Sequence, residues 1–165
     1  MSIEKVRDYL KKWDLEDKIQ EFEVSSATVE LAAKAVGCEP QRIAKTLAFK
    51  VSDKSVLIVT AGDTKIDNPK FKAKFNTKAK MLTREELLET VGHDIGGVCP
   101  FGINDGVEVY LDESLKRFTT VFPACGSSNS AIELTIDELE RSSKFIEWVD
   151  VCSVIMWFYK YDILG

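Results

Sequence analysis

Apolar side chains recur at helical spacing from the start of the chain. Ile3, Val6, Tyr9, Leu10 and Trp13 share one face behind Ser2, which predicts an amphipathic helix with that serine as its N-cap. A short extended piece is expected over 19–24. Ser25, Ser26 and Thr28 then offer caps for a second helix that runs through Leu31, Ala32, Ala35 and Val36. Gly37, free to take the left-handed conformation, is its expected stop, and Pro40 is placed to open a further short turn.

At Ala44 the period changes to two. Leu47, Phe49 and Val51 alternate with other residues, and 55–61 reads as the partner strand across Ser52, Asp53 and Lys54, so a β-hairpin is expected. Asn68-Pro69 is a cap followed by a proline suited to the first helical turn. Phe71 and Phe75 then form the packing face of that helix and leave its lysines outside. Thr83-Arg84-Glu85-Glu86 is a capping box for a helix carrying Leu87, Leu88 and Val91 and closed by Gly92; Thr135-Ile136-Asp137-Glu138 repeats the device. Further strands are expected at 107–111, near 118–122 and at 131–134. Helices and strands mix without regular βαβ alternation. The expected fold is therefore α+β, with a mixed, mainly antiparallel sheet or open barrel flanked by helices.

The length of 165 residues, with 45% hydrophobic and 30% charged residues, fits one globular domain over 1–165 that can bury a core, and excludes disordered and collagen-like classes. The charged N-terminal stretch has no apolar signal segment, so a cytoplasmic location is expected. Beyond Asp150 lies the apolar run Val154-Ile155-Met156-Trp157-Phe158-Tyr159, shorter than the roughly 20 residues of a membrane span. It is expected to add a strand or helix that packs on the body or on a second subunit, with a membrane-surface contact as the alternative. Cys38, Cys99, Cys125 and Cys152 contain no close pair, and His93 is the single histidine, so neither a zinc cluster nor a disulfide framework is expected, and no cofactor is called for.

The net charge of −5 argues against a surface coated for non-specific nucleic-acid binding, but it divides unevenly. Residues 64–80 hold six lysines against Asp67 alone, a local +5 that leaves −10 for the rest. Lys70, Lys72 and Lys74 lie in this stripe. They are either a solvated helix face or a narrow phosphate contact.

Three other features bear on chemistry. Lys45 shares a strand face with Leu47, Phe49 and Val51, and a lysine there either binds an anion at a pocket mouth or snorkels out at the strand end. The segment 92–102 holds Gly92, Gly96, Gly97 and Gly102 with His93 and Pro100, a density suited to laying main chain against a ligand. The small-residue loop 124–130, with Gly126, Ser127 and Asn129, is either a second cleft wall or a plain connection. His93 with Cys99 or Cys125 also allows a thiol dyad, although unpaired cysteines are mostly small buried apolar residues.

In combination, Thr28-Val29-Glu30-Leu31-Ala32-Ala33, Ile43-Ala44-Lys45-Thr46-Leu47-Ala48-Phe49, Ala61-Gly62-Asp63, the Gly92 to Gly102 pattern and Gly126 ahead of Ile132-Glu133-Leu134 resemble the YbaK/EbsC family. This family is related to the editing domains of prolyl-tRNA synthetases, and the resemblance covers about 24–150. It implies a free-standing deacylase acting in trans on the ester of a mischarged small amino acid, with proline tRNA as the expected carrier and a synthetase as a possible partner. By the same resemblance, Lys45, Gly96 and Gly97 are the catalytic positions, with Lys45 at the terminal adenosine and the two glycines at the ester and its attacking water. Gly62, Asp63, His93, Pro100, Gly102, Gly126, Ser127 and Asn129 would bind substrate, and Lys70, Lys72 and Lys74 would touch tRNA. Ala131 and Cys125-Gly126-Ser127 depart from the cysteinyl- and alanyl-editing branches, so the amino acid stays open. The rival readings are a non-catalytic module binding a tRNA end or nucleotide in the same pocket, and a thiol-dependent hydrolase.

Overall fold

The computed structural model describes residues 2–155. Helix α1 is Ser2–Leu10, followed by short 3-10 turns and strand β1, Ile19–Glu21. Helix α2, Val29–Val36, leads through a 3-10 turn to the hairpin strands β2, Ile43–Val51, and β3, Lys54–Ala61. Then come β4, Thr64–Ile66, helix α3, Asn68–Phe75, and α4, Arg84–Glu86, which runs on as a π-helical turn over Leu87–Val91. The remaining elements are β5, Glu108–Asp112; β6, Thr120–Pro123; β7, Ser130–Ile132; β8, Leu134–Thr135; α5, Ile136–Ser143; β9, Glu147–Val149; and β10, Cys152–Val154.

Local signals act where they were expected, with small shifts. Thr28 caps α2 by accepting from the Leu31 N–H, and Gly37 closes it at φ 77°. Thr83 and Thr135 both form complete capping boxes. Asp67, and not Asn68, caps α3, accepting from the Lys70 N–H at 3.1 Å. Ser2 is the first helical residue of α1, and its hydroxyl meets His93. Lys54 belongs to β3, so the hairpin turn is Ser52 and Asp53 alone.

The main sheet has the order β8-β6-β2-β3-β5-β9, and β1-β7 and β10-β4 form two further pairs. Four of the seven pairings are antiparallel and three parallel. Both faces of the β2–β3 hairpin are covered. Ala44, Ala48, Leu57, Val59 and Ala61 join the larger core with Val6 and Leu10 of α1, while Phe49, Val56 and Ile58 pack against Phe71, Tyr110 and Val149. The face that Lys45 shares with Leu47, Phe49 and Val51 is thus the smaller core, and the larger lies behind it. Helix α2 covers Ile43 and Phe122 in a third cluster. The start of the apolar tail forms β10, but 156–165 lie outside the described residues.

Candidate functional site

Strand β2 meets β6 only at Ile43 with Phe122 and Ala44 with Pro123. Farther along, the Ala48 carbonyl accepts from the Leu82 N–H and the Lys50 N–H donates to the Lys80 carbonyl. Between these two contacts the edge of β2 is open at 45–47. Hydrogen bonding alternates along an antiparallel strand, so Ala48 and Lys50 fix the even-numbered main-chain groups as those facing away from β3. The N–H and C=O of Thr46 therefore face the opening. Its side-chain hydroxyl is buried and lacks a hydrogen-bond partner among the described residues.

This gap is the floor of a cleft of about 280 Å³. Ser26 to Val29 and Ala32 line it, together with Gly96 and Val98 from the glycine loop and Phe122, Ala124, Ser130 and Ala131. The lining is mainly small and apolar, and the volume lies at the lower edge of small-molecule sites, roughly 300–1,000 Å³.

Lys45 is the cation of this cleft. Its ammonium donates to the Thr64 carbonyl. Burial pushes its pKa below the ordinary lysine value, opposed by Cys152, Asp63 and Glu30. A partly desolvated ammonium with donors to spare is a strong anion or hydroxyl ligand.

Of the glycines, Gly96 alone lines the cleft, at φ 88°, with Ala27 beside it. Gly97 works behind it. Its N–H donates to the Asp94 carbonyl at 3.1 Å and its carbonyl accepts from Gly126 at 3.0 Å, so its main chain is spent on holding the two loops together. Gly126 and Gly102 press on α1, where a Cβ would stand 2.9 Å from the Ser2 carbonyl carbon or 3.0 Å from the Lys5 oxygen. Gly62 lies under Pro40, whose carbonyl oxygen would be 2.1 Å from an added Cβ.

The polar residues expected at the site divide in the same way. Asp63 is buried and held by Arg117 through two hydrogen bonds of 3.0 and 2.6 Å. His93 is fully buried, with Nδ1 on the Ser2 hydroxyl and Nε2 2.7 Å from the Phe101 carbonyl. Burial lowers its pKa, so it is neutral at physiological pH. Pro100 is buried in the same loop. Asn129 binds the Phe22 carbonyl, and Ser127 bonds to Ser130 at 2.6 Å, which itself lines the cleft. None of Gly62, Asp63, His93, Pro100, Gly102, Gly126, Ser127 and Asn129 lines the cleft itself.

The sulfur of Cys99 lies 3.4 Å from His93 Nε2, so the dyad exists as a contact. Both groups are sealed from solvent, and burial pushes the Cys99 thiol up to about 12. Cys125 is raised well above its usual value for the same reason. A thiolate nucleophile does not form there near neutrality. In the lysine stripe, Lys70 pairs with Asp150 at 3.0 Å and Lys74 with Glu147, while Lys72 is exposed.

The aminoacyl-tRNA editing domain family matches residues 23–142, and the chain belongs to that family. YwhH of Bacillus subtilis (strain 168) is 56% identical over 153 residues, covering 92% of this chain and 98% of that protein. The proline--tRNA ligase of Thermosipho melanesiensis is 31% identical over 128 residues, which is 77% of this chain but only 22% of the ligase. A crystal structure described as a "putative trans-editing enzyme for prolyl tRNA synthetase" superposes with a TM-score of 0.83 at 29% identity, covering 92% of this chain and 97% of that one. No helix among the described residues is long and apolar enough to cross a membrane.

Proposed function

We propose that this chain is a trans-acting aminoacyl-tRNA deacylase that removes a small mischarged amino acid, with proline tRNA as its carrier. The observation that carries this reading is the break in the sheet between β2 and β6. There Lys45 and the unpaired main-chain edge of Thr46 line, with Gly96, a cleft of about 280 Å³. That space suits a small aminoacyl group and leaves the terminal adenosine outside, at Lys45.

In the proposed reaction a water oxygen adds to the ester carbonyl, the bond to the ribose oxygen breaks, and that oxygen leaves with a proton derived from the water. Lys45 steadies the terminal phosphate or ribose hydroxyl, and the Thr46 N–H and the Gly96 main chain orient the ester. Positioning and preset dipoles supply the acceleration. The buried states of His93 and Cys99 agree with a reaction that needs neither imidazole nor thiolate. The reaction partner is aminoacyl-tRNA, a synthetase supplies the mischarged substrate, and the cytoplasm is the place of action.

The test is deacylation of alanyl-, cysteinyl- and seryl-tRNA by purified protein. Preferential hydrolysis of a small aminoacyl group on proline tRNA supports the proposal. Saturable, salt-sensitive tRNA binding without turnover favours the binding-module reading instead.

A further inference from the structure

We infer that the C-terminal strand β10, which lies beyond the family-matched residues 23–142, is a positioning element for Lys45: it fixes the register of β4 so that the Thr64 carbonyl is aimed at the lysine ammonium. The inference rests on the proposed role of Lys45 in deacylation. Its structural part can be read without any activity.

Strand β4 pairs with β10 in the register Thr64 with Val154, Lys65 with Ser153 and Ile66 with Cys152. Just beyond its two ends, the Ile155 N–H donates to the Asp63 carbonyl at 2.7 Å and the Asp67 N–H donates to the Val151 carbonyl at 2.9 Å. Asp63 and Asp67 are therefore bonded toward β10, and by alternation so is Lys65. Thr64 and Ile66 must point their main-chain groups the other way. The carbonyl of Thr64 is thereby turned off the ladder, where Lys45 takes it. A slip of one residue would hand that carbonyl to β10 and leave the ammonium without its acceptor.

The surroundings lock the same geometry. The Thr64 hydroxyl donates to the Ala61 carbonyl at 2.7 Å and lies 2.6 Å from the Thr60 hydroxyl. Thr60 is the cross-strand partner of Lys45, and its hydroxyl also contacts the Cys152 sulfur at 3.3 Å. Around the ammonium stand Cys152 from β10, Asp63 from the β3–β4 turn and Glu30 from α2. Asp63 is already engaged by Arg117, which leaves the Thr64 carbonyl as the neutral acceptor that orients the lysine without neutralising it.

The experiment uses the full chain carrying Ser153→Pro, which removes the N–H that bonds to Lys65, with Ser153→Ala as the conservative control that keeps the ladder. Each protein is acetylated with acetic anhydride across a pH series, and modification of Lys45 is read by peptide mass spectrometry against the exposed Lys72. In the wild type and Ser153→Ala, Lys45 should titrate below the ordinary lysine value. In Ser153→Pro the ammonium loses its carbonyl acceptor while staying buried, so its midpoint should fall further, and kcat for deacylation should fall about tenfold or more with KM less affected, as small misplacements at a catalytic group do. If Ser153→Pro does not fold, Ile155→Pro, which removes only the bond to the Asp63 carbonyl, is read in the same way. An unchanged Lys45 midpoint in a folded variant whose β4–β10 amides exchange freely overturns the inference. A shifted midpoint in a protein whose wild type shows no deacylation keeps the positioning and sinks the proposed activity.

Discussion

A Cβ on Gly97 would stand 2.6 Å from the main-chain carbon of Gly126, so the two loops of the cleft meet at a point where neither residue has a side chain. The hydrogen bond from the Gly126 N–H to the Gly97 carbonyl sits at the same contact. Gly97 thus sets the spacing of the two loops that bring Gly96, Ala124 and Ser130 to the cleft.

Gly97→Ala is expected to force the loops apart. The φ of Gly97 is not in the left-handed region, so the cost is steric and should lie near 1–3 kcal/mol, as for other overpacked sites. Urea denaturation measures it, and deacylation should drop with it. Wild-type stability in this variant would mean that the loops are free to separate.

His93 gives a pH dependence of stability. Its folded pKa is depressed by burial, so the neutral form is favoured in the folded state and the contribution is complete above the unfolded value of about 6.5. As pH falls below that value the unfolded chain binds a proton that the folded chain refuses, and stability is lost until the folded pKa is passed. Urea melts on either side of that range should show the decline in the wild type and a smaller one in His93→Asn. Equal slopes would place the titration elsewhere.

The thiols should be dispensable for turnover. With Cys99 raised to about 12 and Cys125 also raised, iodoacetamide should leave both unmodified in the native protein, and Cys99→Ala should deacylate within about twofold of wild type. Rapid native alkylation of Cys99 with loss of activity would restore the thiol mechanism.

Lys72 is the member of the α3 trio best placed for a phosphate, because Lys70 and Lys74 are paired with Asp150 and Glu147. Lys72→Ala should lower the slope of log affinity for tRNA against log salt by about 1, and Lys70→Ala and Lys74→Ala by less. Fluorescence anisotropy over a salt series measures the slopes. Identical slopes for wild type and Lys72→Ala would remove α3 from the tRNA contact.

Much of the fold was legible because its strongest local signals coincide with tertiary need. Both capping boxes, the Gly37 stop and the β2–β3 hairpin are all present. The short strands β4 and β9 were missed, since three residues are too few to display a period and their pairing is decided by distant partners, whereas β10 falls in the tail for which an added strand or helix was expected. The candidate 131–134 strand splits at Glu133 because β7 pairs with β1 and β8 with β6. At the site, Lys45 and Gly96 were legible from residue type and the family resemblance. Thr46 was passed over, because an open main-chain edge depends on where β6 ends. No local sequence signal records that. Charge counting also overstated the lysine stripe, since Glu147 of β9 and Asp150 just after that strand, both remote in sequence, approach it.

The central claim is that Lys45 acts on substrate in the break between β2 and β6. Its most direct test is single-turnover hydrolysis of alanyl-tRNA carrying the proline anticodon by wild type and Lys45→Ala, with melting curves recorded on the same samples. The account predicts acceleration over buffer by the wild type and a rate at least about tenfold lower for a variant that melts normally, in keeping with the loss of a preset electrostatic contact. Equal rates for the two proteins, both above buffer, would contradict it.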